Sequence, residues 1–157
     1  SAIADLTGNL HHTAGASSST HGYTMCGTSS TSNIQKFSIT SDADATNVGS
    51  MTQGRTSPGG ASSTTHGYAM GGGSPSSNVI DKFAFASEST TTDIGNLITT
   101  RVWGSGTSST THGYTSTGDA GAAKSDTIDK FSFSSDANAT DVGNALVAVE
   151  GQQGNQY

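Results

Sequence analysis

One phrase is written three times along the chain, and it constrains the fold more than anything else in the sequence. His21-Gly22-Tyr23, His66-Gly67-Tyr68 and His112-Gly113-Tyr114 are each followed by a Gly/Ser-rich segment. Each then reaches a second phrase: Ile34-Gln35-Lys36-Phe37, Ile80-Asp81-Lys82-Phe83 and Ile128-Asp129-Lys130-Phe131. A period of roughly 40–50 residues is the mark of a repeat architecture, in which each unit is one supersecondary element.

Within a unit the pattern reads as four short strands. The first is small and polar: residues 13–18, 59–64 and 104–109. A Thr-His-Gly turn follows, and the tyrosine opens the second strand, which ends at Cys26-Gly27, Gly71-Gly72 or Thr117-Gly118. The third is clearest, because Phe83 and Phe85 alternate with Ile80 and Lys82 at period two. The fourth carries Val48, Ile94 or Val142 before a glycine and leads into Arg55 or Arg101. No segment of twelve or more residues has a 3.6-residue apolar period, so helix content is expected to be close to nil. The expected organisation is a surplus outer strand at 1–9, repeats at 10–52, 53–100 and 101–149, and a polar tail at 150–157.

Composition narrows the function classes. Hydrophobic residues make up 31% of the chain and charged residues 11%; low charge argues against the usual disordered class. Net charge is −6, with six Lys and Arg scattered singly, which leaves no electrostatic footprint for nucleic acid. The longest apolar run, Ala145 to Val149, is too short for a membrane span. Opening on Ser1 suits a processed mature chain or a trimmed one. Few Lys, one Cys and abundant Ser, Thr and Gly point to an extracellular, cell-surface or virion-surface setting.

The repeat resembles a kelch-type β-propeller blade. The matching residues are Arg55 and Arg101, Tyr68 with Gly71-Gly72, Phe83, and the fourth strands. It is similar in particular to Ser/Thr/Gly-rich kelch-like repeats of environmental bacterial and phage sequences, in which surface or fibre roles are suspected. The kelch outer-strand Trp has no counterpart, since Trp103 lies elsewhere. The resemblance implies an all-β propeller of three four-stranded blades per chain. Three blades are too few to close a ring, so another chain is expected to complete it through the terminal residues Ile3, Leu6, Leu146, Val147 and Val149. A β-trefoil, also built from three four-stranded repeats, is the alternative.

The candidate sites are few. His21, His66 and His112 would form a symmetric ring, but turns on one rim stand too far apart to share an ion. Asp42, Asp44, Asp136, Asn138 and Asp141 set oxygen ligands at alternate loop positions, as calcium loops do, without the glycine and closing Glu of an EF-hand. Asn138-Ala139-Thr140 is the one N-glycosylation sequon. Cys26 is the only cysteine, in the place of Gly71 and Thr117, and reads as a small residue at a tight position. Lys36, Lys82 and Lys130 are expected to pair with acidic neighbours such as Asp81 or Asp129. No nucleophile–base spacing or phosphate loop appears, so neither catalysis nor a cofactor is expected. The expected function is a self-assembling structural subunit of an extracellular filament or surface fibre, with copies of itself as partners. The alternative is a secreted lectin-like module that binds glycans.

Overall fold

The computed structural model describes residues 5–27, 31–152 and 154. These residues form twelve strands and no helix, in three four-stranded antiparallel sheets. The first sheet holds β1 (Ala14–Ser17), β2 (His21–Met25), β3 (Asn33–Ser38) and β4 (Thr46–Ser50). The second holds β5 (Gly59–Ser62), β6 (His66–Met70), β7 (Val79–Ala84) and β8 (Thr92–Asn96). The third holds β9 (Ser105–Ser108), β10 (His112–Ser116), β11 (Thr127–Ser132) and β12 (Thr140–Asn144). Each is a simple meander in chain order. The expected all-β architecture of three four-stranded repeats is present; the sheets do not close into a ring.

The paired phrases recur together for a steric reason. Gly22, Gly67 and Gly113 lie directly across from Phe37, Phe83 and Phe131. A methyl group on any of these glycines would run into the facing phenyl ring. The ring therefore lies down over its neighbour strand, which only a residue without a Cβ allows. Each third strand also carries a bulge at the same place, between Ile34/Gln35, Ile80/Asp81 and Ile128/Asp129. The turn before each second strand is held alike. The Ser18, Ser63 and Ser109 hydroxyls accept from the His21, His66 and His112 amides at 3.1, 3.0 and 3.1 Å.

The second strands end in a left-handed residue: Cys26 (φ 62°), Gly71 (φ 66°) and Thr117 (φ 60°). The position of Cys26 is thus a backbone requirement that a small residue meets. A second left-handed series opens each repeat at His12, Ser57 and Trp103 and continues at Gly151. Their amides and carbonyls form a ladder, Ser57 donating to His12, Trp103 to Ser57 and Gly151 to Trp103, at 2.7, 3.1 and 3.0 Å.

The sheets pack face to face. Their first strands run side by side so closely that the Cβ space of Gly60 is filled by the Gly15 backbone, and that of Gly106 by Gly60. Gly154 meets Gly106 in the same way, so residues 149–152 and Gly154 follow the course of a repeat's opening. Two apolar cores result. One joins Tyr23, Met25, Ile34 and Met51 to Phe83. The other joins Tyr68, Met70, Ile80 and Leu97 to Phe131. No helix of the described residues is long and apolar enough to cross a membrane.

A methyl at Gly67 should therefore overpack the sheet. Gly67→Ala is expected to cost about 1–3 kcal/mol in thermal or denaturant unfolding. Gly15→Ala, whose Cβ space is open, serves as the comparison, and equal effects of the two would contradict the phenyl-over-glycine packing.

Candidate functional site

The chemistry of this chain is concentrated between successive sheets. Of its six basic residues, Arg55 and Arg101 are 0% and 2% exposed. Arg55 enters from the segment before β5. Its Nη1 donates to Ser77 Oγ and the Val79 carbonyl, both at 3.1 Å, and its Nη2 to Asp81 of β7. Asp81 also accepts from the Thr52 hydroxyl at 2.8 and 2.9 Å and from the Thr91 hydroxyl at 3.0 Å. Burial holds the Asp81 carboxyl above the ordinary carboxylate range, against the opposing pull of Arg55 and both hydroxyls. Thr52 belongs to the preceding repeat, so this cluster ties two sheets together.

The third sheet repeats the cluster less completely. Arg101 Nη1 donates to the Thr117 and Thr127 carbonyls at 3.0 Å each, and Nη2 to Asp129 Oδ2 at 3.2 Å. The Ile98 amide donates to the same oxygen at 3.1 Å. Asp129 Oδ1 has no hydrogen-bond partner among the described residues. The reason is that Ile98 and Ala139 stand where Thr52 and Thr91 stand one repeat earlier, and neither brings a hydroxyl. Burial raises the Asp129 carboxyl and lowers the Arg101 guanidinium.

In the first sheet the same places hold Leu10 and Gln35. Gln35 is 1% exposed, and its Oε1 accepts from the Thr7 amide at 2.9 Å, as Asp129 accepts from Ile98. The positive and negative charges are thus present together or absent together.

The lysines do not pair as the sequence suggested. Asp81 and Lys82 are adjacent on a strand and so face opposite sides of the sheet. Asp81 and Asp129 take the arginines, while Lys36 reaches Glu88 of the next sheet at 2.6 Å and Lys82 reaches Asp136 of the next. Beside Lys36 and Lys82, a tyrosine fits between two rings of the following sheet. Tyr23 meets Phe83 edge-on at 5.2 Å and stacks on Phe85 at 4.9 Å. Tyr68 meets Phe131 at 5.2 Å and stacks on Phe133 at 4.8 Å. Burial raises both tyrosine hydroxyls and lowers His66.

The other candidates fall into place around this joint. Each histidine Nδ1 lies 2.8–2.9 Å from the hydroxyl of the preceding threonine, Thr20, Thr65 or Thr111. Asp44 Oδ1 accepts from the Asp5 amide and Asn138 Oδ1 from the Asn96 amide, each at 3.0 Å. Asp136 holds Lys82, Asp141 Oδ1 accepts from the Gly143 amide at 2.9 Å, and Asp42 is exposed. Among the described residues no three or more His, Cys, Asp or Glu side chains converge on a common point. Of the terminal apolar residues, Leu6, Leu146 and Val147 are 38, 103 and 65% exposed. Val149 is half-buried and its carbonyl accepts from the Gly118 amide at 2.7 Å; Ile3 lies outside the described residues. A cavity of about 720 Å³ follows the first strands, lined by His12, Ser57, Trp103 and the glycine series. Cys26 is buried, and burial pushes its thiol up to about 11 against the pull of Arg55.

These features define an all-β repeat protein whose units are clamped by a recurring joint. Neither a protein-family model nor a curated protein matches the chain.

Two outcomes test the joint. Arg101→Leu leaves Asp129 buried and unpaired, so it should cost about 3–5 kcal/mol of unfolding free energy. Adding Asp129→Gln, which copies the Leu10 and Gln35 arrangement, should regain most of that loss in the same denaturant titration. Thiolate is the reactive form of cysteine, and a raised pKa removes it at pH 8. Cys26 should therefore react with a disulfide reagent at least about 100-fold slower in the folded chain than in guanidinium, since two pKa units are two decades of thiolate. Equal rates would place the thiol in solvent.

Proposed function

We propose that the chain is a non-catalytic structural subunit, a run of kelch-like propeller blades that assembles with copies of itself into an extracellular filament or surface fibre. The observation that carries this reading is that one joint occurs twice within 157 residues. Tyrosine on two rings, lysine on an acid and glycine on glycine recur between sheets one and two and between sheets two and three. Stacking is then a property of the unit, and units of this kind extend by addition, each touching only its neighbours. Meander order within each sheet, with first strands side by side, supports the blade reading over the trefoil. A chain rich in Ser, Thr and Gly and poor in lysine suits an extracellular surface.

A second reading, a secreted lectin-like module, draws on the cavity along the first strands. Trp103, the only tryptophan, lines it at 41% exposure beside His12 and Ser57. An aromatic face flanked by polar groups is a common platform for a sugar.

Negative-stain electron microscopy of the full chain, repeated after dilution, separates the two. Filaments with a regular axial spacing that persist on dilution are expected. Uniform small particles at every concentration, with Trp103 fluorescence that shifts on addition of sugars, would replace the fibre by the binding module.

A further inference from the structure

The joint has two unlike halves. The leading half is Tyr23, Lys36 and Gly49 in the first joint and Tyr68, Lys82 and Gly95 in the second. The receiving half is Phe83, Phe85, Glu88 and Ser89, then Phe131, Phe133, Asp136 and Ala137. Each half occurs once more with no sheet across it among the described residues. On the third sheet, Tyr114 is only half-buried, against 3% and 1% exposure for Tyr23 and Tyr68. Lys130 makes no ion pair among the described residues. The Cβ space of Gly143 is open, where those of Gly49 and Gly95 press on the Ser89 and Ala137 carbonyls. On the first sheet, Phe37 is half-buried and Ile39 is 55% exposed, and Asp42, at the place of Glu88 and Asp136, makes no ion pair among the described residues.

We propose that the Tyr114, Lys130 and Gly143 face of one copy docks head to tail on the Phe37, Ile39 and Asp42 face of a second copy. This rests on the self-assembly reading and names its contact. Tyr114 takes the place of Tyr23 over the ring of Phe37 and the side chain of Ile39. Lys130 takes Asp42 as Lys36 takes Glu88. The two faces are different surfaces of one molecule, so the contact is heterologous, and it extends as an open stack unless the rotation from copy to copy closes a ring.

The outer-strand place on the receiving face is already filled. Asp5 accepts from the Ala45 amide at 2.9 Å and its own amide donates to Asp44 Oδ1. Inside the chain, Asn96 makes the same two bonds with Ala139 and Asn138. An incoming copy brings Asn144 to those atoms, so docking exchanges residues 5–7 for residues 144–146 of the second copy. Backbone bonds are replaced one for one, and the tyrosine and lysine contacts are the net gain.

Sedimentation velocity of the full chain over a concentration series tests the contact by charge reversal. Lys130→Glu faces Asp42 with a like charge, and Asp42→Lys faces Lys130 with one. Each should weaken association about tenfold or more, as like charges across an interface do. Mixing the two variants, or combining both changes in one chain, restores opposite charges at every contact and should restore assembly. Tyr114→Ala should weaken it without reference to charge. All of these side chains are at least partly exposed, and unchanged melting of each variant establishes that the fold is intact. Wild-type protein that assembles while all three single variants assemble equally well would overturn this contact and leave the structural role standing. Wild-type protein that stays monomeric throughout the series would overturn both.

Discussion

Everything in this molecule depends on what lies between one sheet and the next. A four-stranded meander of Ser, Thr and Gly has almost nothing to bury on its own, and a lone small sheet is marginal in water. In the second and third sheets two aromatic rings at the end of the third strand, and in every sheet one tyrosine on the second, change that, because the rings belong to a different partner than the tyrosine. Phe83 packs back on Tyr23, while Tyr68 packs forward on Phe131. The middle sheet is consequently buried on both sides, with Ile80, Asp81 and Phe83 consecutive or nearly so and all 2% exposed or less. Stability is therefore held by pairs of units more than by any unit alone.

The arginine clusters show how such a joint accepts charge. A buried ion pair gives little net stability over a neutral pair of similar volume, because desolvation consumes most of the attraction. The chain contains both solutions at equivalent places: Leu10 with Gln35, and Arg55 with Asp81. What separates the two charged versions is the number of hydroxyls within reach of the carboxylate. Asp81 has Thr52 and Thr91, and Asp129 has neither. Geometry rather than stability is the feature the arginine adds. Its guanidinium gathers two backbone carbonyls and a carboxylate into one plane, fixing where the entering segment crosses the end of the sheet.

The repeat, its four strands and the face shared by Phe83 and Phe85 were legible in the sequence, because spacing and period-two alternation are local. The absence of helix was legible for the same reason. The ion pairs were not. Arg55 and Asp81 are 26 residues apart and meet only because the segment before β5 crosses the end of β7. Adjacency on the page suggested instead that Lys82 would take Asp81, and the pleat forbids that. One signal was available without a structure: across the repeats, Arg accompanies Asp, and Leu accompanies Gln. The cross-sheet acids Glu88 and Asp136 were hidden differently, since a loop aspartate reads equally as a turn former or a calcium ligand. Their real partner sits one sheet away.

Glycine content, which at first suggests a chain too loose to fold, is better understood as a condition of the stacking. Gly67 makes room for a phenyl ring within a sheet, and Gly60 makes room for the backbone of the sheet before it. At both places the contact replaces a side chain, so close packing is reached with few apolar residues. The cost is borne in the unfolded state, where each glycine has more freedom to lose. Such a chain gains from being long, because each added unit contributes one more complete joint, while the two half-covered end faces stay the same. That asymmetry between a fixed end penalty and a repeated interior gain favours extension, and it follows from the placement of Tyr, Phe and Gly alone.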